Sequence, residues 1–114
     1  MSYPRRGEVY WVRLDPVIGS DIAKTRPAVI ISNDIGNEFS ARVIVAPLTT
    51  GGLERVYPFE VLIPAHEGGL PQASKVVLDQ IRTLDKQRLG QRLGLLPPER
   101  MRAVDRAIRV SLAV

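Results

Sequence analysis

Short runs of β-branched and aromatic residues, separated by residues that favour turns, recur along most of this chain. Residues 8–14 form the first run, which ends at Asp15-Pro16, and residues 28–32 and 42–48 form the next two. Branched and aromatic side chains are typical of β-strands because they pack well on a pleated, half-buried surface. The spacing of these runs predicts a small, mainly antiparallel β-barrel.

The connections and the later strands follow less regular patterns. Residues 33–37 are rich in Asn, Asp and Gly and predict a turn between two strands. Two sets of side chains alternate over residues 56–63, which predicts a fourth strand whose Pro58 indicates a sheet edge or a bulge. Residues 75–78 and 80–83 predict further strand segments.

The only long helical pattern lies at the end of the chain and opens at Pro97-Pro98-Glu99. It carries an apolar stripe of Met101, Val104, Ile108 and Leu112, while Arg102, Arg106 and Arg109 share another face that we expect to be solvated. A small barrel gains core by pairing with a copy of itself, so the stripe predicts a homodimer interface. Before the helix, residues 85–90 resemble one helical turn closed by Gly90.

The length of 114 residues allows one core, because a second core would need roughly 100 more residues. We therefore expect one domain over residues 1–114, mainly β with a C-terminal helix. The chain has no cysteine and no run of about 18 uncharged apolar residues. These features predict a cytoplasmic protein that does not enter a membrane.

The chain has a formal net charge of +4, and its basic residues are mostly arginines. Of the 16 basic residues, all but Lys24, Lys75 and Lys86 are arginine. A guanidinium group binds phosphate through a flat array of donors and can stack on bases, whereas an ammonium group acts as a point charge. The composition suits a polyanionic partner, although solvated surface arginines explain the same charge balance.

Several kinds of chemistry lack the residues that they require. His66 is the only histidine and the acidic residues are dispersed, so no metal site, no cofactor and no paired-histidine mechanism are expected. We expect His66 to be an exposed loop residue. The glycine doublets Gly51-Gly52 and Gly68-Gly69 do not have the spacing of a phosphate-binding loop. What remains is arginine beside hydroxyl and amide residues at strand ends, namely Arg26, Thr49, Thr50, Gln80, Arg82 and Thr83.

Four blocks of sequence give these residues a family context. Residues 7–12 are followed by Gly19-Ser20-Asp21, which precedes Arg26-Pro27 by five residues. Residues 45–49 and 77–89 form the later blocks. Together they resemble, in order and across nearly the whole chain, the MazF/PemK toxins of type II toxin–antitoxin systems.

This resemblance implies a fold, an activity and partners. The implied fold is an SH3-like β-barrel of the CcdB/MazF type that forms a two-fold homodimer. The implied activity is metal-independent endoribonuclease cleavage of single-stranded RNA, chiefly mRNA, at short sequence motifs. The implied protein partner is a cognate acidic antitoxin that blocks this activity.

The resemblance also implies roles for individual residues. Arg26 matches the family's catalytic arginine and Thr49 its catalytic hydroxyl. The implied RNA-binding residues are Gly19, Ser20, Thr50, Gln80, Arg82 and Thr83, of which Gly19 and Ser20 belong to a loop that closes over substrate or antitoxin. Many members have glutamate where this chain has Asp21, so Asp21 is not included among the catalytic residues.

Structural and functional alternatives remain open at this point. Arg26 could pair with a carboxylate at a strand start, Thr49 could bond its own backbone in a turn, and Trp11 is expected in core or dimer packing. A gyrase-poisoning toxin of the same fold would need a tryptophan near its C-terminus, which this chain lacks. A plain RNA-binding barrel would need stacking aromatics, and only Tyr57 and Phe59 form a close pair.

Overall fold

The computed structural model describes residues 2–14 and 25–114. Its strands are β1 (Glu8–Arg13), β2 (Thr25–Ile30), β3 (Arg42–Thr49), β4 (Glu60–Ile63), β5 (Ser74–Val77), β6 (Arg82–Asp85) and β7 (Leu89–Leu95), and its α-helices are α1 (Asp34–Phe39) and α2 (Pro98–Leu112). Short 3-10 turns cover Glu67–Gly69 and Lys86–Arg88. The predicted class, mainly β with a C-terminal helix, is confirmed.

The strands pair in the order β4-β5-β3-β2-β1-β7, and β6 also pairs with β3. The outer edge of β3 is shared, since residues 42–45 pair with β6 whereas Leu48 and Thr49 pair with β5. Pro47 has no N–H to donate, and it lies between the residues of β3 that pair with β6 and those that pair with β5. Among the strands described, no pairing joins β4 to β7, so the predicted barrel is an open, curled sheet.

One face of the sheet packs against α2, and we call it the helix face. Side chains alternate along each strand, so every second residue contributes to this face. Its core consists of Val9, Val29, Ala46, Leu48, Val61, Ile63, Leu70, Val76, Leu78 and Leu96 with Val104 and Ala107 of α2. The helix begins with Pro98 in its first turn, where a missing N–H costs no hydrogen bond, as the sequence predicts.

The opposite face, which we call the arginine face, curls around a second and smaller apolar cluster. Its members are Val12, Leu14, Ala28, Ile30, Val43, Val45 and Leu84. Arg82 belongs to this face because it lies directly across from Val45. Its Nη1 donates to the Leu14 carbonyl at 2.9 Å, a contact that draws β6 towards the end of β1.

The apolar stripe of α2 lies mostly in the protein's own core. Val104 is fully buried, and Met101 and Ile108 pack against the same cluster. Leu112 is 56% exposed, while Arg102, Arg106 and Arg109 are exposed as predicted. The stripe is therefore the wrong basis for a homodimer interface, and the homodimer itself stays a prediction.

The segment 33–37, predicted as a turn, instead leads into helix α1. Asn33 caps this helix, since its side chain accepts a hydrogen bond from the Gly36 N–H at 2.7 Å. Asn37 is buried and donates to the Ser32 carbonyl at 2.9 Å. Residues that favour turns also favour helix caps, so composition alone did not separate the two. The predicted antiparallel pairing of the flanking strands is confirmed.

One strand prediction and one turn prediction need correction. Only residues 60–63 of the predicted strand 56–63 pair in the sheet, because Pro58 lies in a turn closed by the Glu60 N–H on the Tyr57 carbonyl at 2.8 Å. The turn predicted at 85–90 ends at Arg88, and Gly90 belongs to β7, which pairs with β1. A Cβ on Gly90 would lie 3.1 Å from the Trp11 carbonyl oxygen, so this glycine permits close approach of the strands.

None of the helices in residues 2–14 and 25–114 is long and apolar enough to cross a membrane.

Candidate active site

Arg26 is the second residue of β2 and is half-buried. The following Pro27 favours an extended backbone at Arg26, which fits its place in a strand. Arg26 lies directly across from Val12 of β1, so strand alternation puts its side chain on the arginine face with Ala28 and Ile30.

Thr49 is the last residue of β3 and lies on the same face. The β2–β3 ladder pairs Ala28 with Pro47, and continuing this register outward by two residues brings Arg26 level with Thr49. Both residues are half-buried at strand ends, beside the apolar cluster rather than inside it. The two residues assigned catalytic roles by resemblance therefore project from adjacent strands on one face.

The Thr49 hydroxyl has one local partner. Its Oγ1 accepts a hydrogen bond from the Gly51 N–H at 3.2 Å, which is the turn interaction expected as the structural alternative. A threonine hydroxyl can donate one hydrogen bond while it accepts others. The turn therefore orients Thr49 and still allows its O–H to donate to a ligand.

Arg82 lies further along the arginine face, and Gln80 precedes β6 by two residues. Both line a cavity of about 280 Å³ together with Asp79 and Ile81. Arg82 is opposite Val45, which precedes Thr49 by four residues, or about 13 Å along a strand. An extended ligand that contacts both Arg82 and Thr49 must therefore run lengthwise along β3.

The described structure does not place the other four implied RNA-binding residues on this face. Thr83 lies opposite Ile44 and so projects from the other side of β6. Thr50 is exposed and lines a cavity of about 310 Å³ that Arg26 also lines, together with Trp11, Pro27 and Ser74. Gly19 and Ser20, like Asp21, lie outside the described residues.

Trp11 is not a member of either core cluster, and the other expectation, packing at a dimer interface, stays a prediction. It is only half-buried and lines the cavity that also contains Thr50, on the side of β1 that alternation assigns to the helix face. Its position directly across from Pro27 explains this placement. The period-two pattern of β1, in which Trp11 stands between Tyr10 and buried Val12, was the available signal for which face it occupies.

Lys75 is the residue that sequence reasoning missed. It pairs directly with Thr49 in the β3–β5 ladder, yet its side chain is only 9% exposed. Its ammonium group donates to the carbonyls of Gly52 and Arg55, each at 3.0 Å, and to Glu60 Oε1 at 2.9 Å. A lysine at the start of the apolar run 75–78 was the only hint in the sequence.

The arginine face thus carries Arg26 level with Thr49 and Arg82 about 13 Å away, while the charge of Lys75 is paired with Glu60. Cationic and hydroxyl groups on one half-buried surface suit the recognition of a phosphate group. Within residues 2–14 and 25–114, no group of three or more His, Cys, Asp or Glu side chains could hold a metal ion. His66 is exposed in its loop, as expected.

Comparisons with known proteins match nearly the whole length of the chain. Residues 5–112 match the family described as PemK-like, MazF-like toxin of type II toxin-antitoxin system. Endoribonuclease EndoA of Bacillus subtilis (strain 168) is 44% identical over 110 residues, which cover 96% of this chain and 95% of that protein. The crystal structure of MazF from Deinococcus radiodurans covers 100% of both chains with a TM-score of 0.84 and 27% identity. An endoribonuclease in complex with its cognate antitoxin from Mycobacterial species has a TM-score of 0.81 and 31% identity, over 97% of this chain and 96% of that one.

Proposed function

Because the chain belongs to the family of PemK-like, MazF-like toxins of type II toxin–antitoxin systems, we propose that it cleaves single-stranded RNA at short sequence motifs without a metal ion. The observation that carries the proposal is the position of Arg26 and Thr49 on adjacent strand ends of a positively charged face. The endoribonuclease names of its relatives support the same reaction class.

The proposed reaction uses a nucleophile that the substrate itself supplies. RNA carries a 2′-hydroxyl beside each phosphodiester, and DNA lacks it. The 2′-hydroxyl gives up its proton as its oxygen attacks phosphorus, which forms a 2′,3′-cyclic phosphate and breaks the bond to the 5′-oxygen of the next nucleotide. That oxygen takes up one proton and leaves as a 5′-hydroxyl, so the step releases one proton and consumes one. No metal-activated water is needed, so positioning and charge stabilisation are the protein's main contributions.

Arg26 stabilises the transition state in this mechanism. Negative charge builds up on the non-bridging phosphate oxygens, and a guanidinium group can meet it with two charge-assisted hydrogen bonds. Guanidinium groups stay protonated at neutral pH, so Arg26 acts through charge rather than by proton donation. Thr49, held by the Gly51 N–H, donates its hydroxyl hydrogen to the same phosphate.

The same face is also the proposed binding site of a protein inhibitor. The charges of Arg26 and Arg82 favour an acidic segment that becomes ordered on contact and occupies the RNA path. The mycobacterial endoribonuclease bound to its cognate antitoxin supports this type of partner. Titration of ribonuclease activity with a purified acidic antitoxin tests it, and undiminished cleavage at a molar excess of the protein's own antitoxin contradicts it.

The cleavage chemistry is tested with synthetic RNA. We expect activity to persist in EDTA and to vanish when the single nucleotide 5′ of the cut carries 2′-deoxyribose. The upstream fragment should end in a 2′,3′-cyclic phosphate or its opened form, and the downstream fragment should begin with a 5′-hydroxyl. Mass spectrometry of the fragments reads both ends, and a 5′-phosphate on the downstream fragment would overturn the mechanism.

A further inference from the structure

The turn that follows β3 orients the Thr49 hydroxyl, yet it is built from residues with unusual backbone freedom. Thr49 Oγ1 accepts a hydrogen bond from the Gly51 N–H at 3.2 Å, and the next residue, Gly52, has a φ of +68°. Glycine loses more conformational freedom on folding than any other residue, so two consecutive exposed glycines form a turn that local interactions hold only weakly. A hydroxyl that must meet a phosphate therefore needs a contact from elsewhere in the sheet to keep this turn in one conformation.

Lys75 supplies that contact from the neighbouring strand. It lies directly across from Thr49 in the β3–β5 ladder, which places the two Cβ atoms roughly 4.5–5.5 Å apart. Its Nζ donates to the Gly52 carbonyl at 3.0 Å, and the same carbonyl accepts from the Arg55 N–H at 3.3 Å. Gly52 is thus tied both to β5 and to its own loop, immediately after the N–H that orients Thr49.

The ammonium group of Lys75 is fully occupied by the protein. Its three hydrogens go to the carbonyls of Gly52 and Arg55 and to Glu60 Oε1, and the side chains of Lys75 and Glu60 are only 9% and 8% exposed. None of the three is left to donate to a substrate phosphate. A buried ion pair is often no more stabilising than apolar side chains of similar volume, because both charges lose their hydration. The effect that remains is geometric, since one ammonium group fixes three points around the turn.

We propose that Lys75, with Glu60 as its counter-charge, is a positioning residue that holds the Gly51-Gly52 turn so that the Thr49 hydroxyl keeps its orientation at the cleaved phosphate. This inference rests on the proposed function, in which Thr49 donates to that phosphate. It adds a residue that acts through Thr49 without touching RNA. Misplacement of a catalytic group by about 1 Å can slow a reaction about 10²-fold, so a loosened turn should lower kcat.

The test combines the ion pair with Thr49 in one set of variants. The paired variant Lys75→Met/Glu60→Gln removes both charges and keeps an acceptor for the Tyr57 N–H, which donates to Glu60. Its single-turnover cleavage rate at saturating RNA should fall about 10- to 100-fold. Because a positioning residue acts through the group that it positions, the same two changes in a Thr49→Val protein should slow cleavage by no more than about 2-fold beyond Thr49→Val alone. Independent effects would instead multiply.

Val76→Ala is the matched control on the same strand. Val76 is fully buried and pairs with Leu48 on the helix face, so its truncation should lower the urea-unfolding midpoint and leave the saturating cleavage rate at the parent level. The Gly51 amide resonance in NMR spectra reports on the turn itself. We expect this resonance to shift in the paired variant as it does in Thr49→Val, and to stay in place in Val76→Ala.

The outcomes separate this inference from the proposed function. Parent-level cleavage by the folded paired variant, beside a slow Thr49→Val protein, would overturn the inference alone, as would effects that multiply. Parent-level cleavage by Thr49→Val would contradict the role of Thr49 in the proposed function, and the positioning role of Lys75 with it. If the paired variant does not fold, Lys75→Gln/Glu60→Gln takes its place with the same expected fall in rate, because two amides can bond each other but the shorter side chain at position 75 cannot reach both loop carbonyls.

Discussion

The two faces of the sheet differ in what fills them. On the helix face, α2 covers a large apolar cluster, and its charged side chains form pairs at the margin, such as Arg6 with Asp105 and Arg100 with Glu67. On the arginine face, a smaller cluster adjoins Arg26 and the buried pair of Lys75 with Glu60. Alternate residues of the same strands therefore contribute to the large core on the helix face and to the charged site on the arginine face.

The largest effect is expected on the arginine face, at Arg26. Arg26→Ala should reduce kcat about 10²- to 10³-fold, or about 2.7–4 kcal/mol, the typical cost of removing one preorganised donor to a transition-state oxyanion. Arg26→Lys should recover little of the lost kcat, because an ammonium group does not reproduce the forked donor geometry of a guanidinium group. Single-turnover cleavage of a fluorescent RNA measures both variants.

The comparison of faces also requires that Arg26→Ala leave the fold intact. Its urea-unfolding midpoint should stay close to that of the parent protein, because Arg26 lies at the margin of the apolar cluster and is not one of its members. Near-normal turnover in a folded Arg26→Ala protein would move the reaction to another part of the molecule.

Sequence periodicity was sufficient for most of the strands and for the helix. The β-branched runs located β1, β2, β3 and β5, and Pro98 marked the start of α2. These signals are local, since alternation and capping depend only on neighbouring residues. The family resemblance selected Arg26 and Thr49, and the ladder register then gave the physical reason why the two residues share a face.

The sequence signals failed where distant contacts decide the structure. Strand β7 contains Gly90, Gln91, Arg92 and Gly94 and has little β-propensity, so it is a strand mainly because β1 offers it an edge. The role of Lys75 depends on two carbonyls some 20 residues earlier in the chain. No local pattern shows that a loop will fold back onto one ammonium group.

On the helix face, a core substitution should affect stability and leave the chemistry unchanged. Val104 is fully buried between α2 and the sheet, and Val104→Ala should lower the free energy of unfolding by about 2 kcal/mol, from lost apolar burial and the cavity left behind. Val110→Ala is the matched control on the same helix, because Val110 is 53% exposed and its loss should cost less than about 0.5 kcal/mol. Urea denaturation measures both changes.

Cleavage by the folded Val104→Ala protein should proceed at the parent rate. A fall in kcat comparable with that of Arg26→Ala would show that the two faces are not separable.

The smallest expected effect is the acid sensitivity of the ion pair that ties the 3-10 turn Glu67–Gly69 to α2. Arg100 donates to both carboxylate oxygens of Glu67, at 2.7 Å and 3.2 Å, and this hydrogen bonding lowers the pKa of Glu67 below its ordinary 4.5. A carboxyl group whose pKa is lower in the folded state contributes stability that is present above its unfolded pKa and is lost as the pH falls through its folded pKa. The parent protein should therefore lose its small stability advantage over Glu67→Gln as the pH falls below about 4.5.

Melting temperatures of the two proteins from pH 7 to pH 3 measure this convergence, with Glu38→Gln on α1 as the control. The kcat of Glu67→Gln at neutral pH should equal that of the parent protein, since the pair lies on the helix side of the sheet. A gap in melting temperature that stays constant down to pH 3 would remove the Glu67–Arg100 pair from the interactions that hold α2 in place.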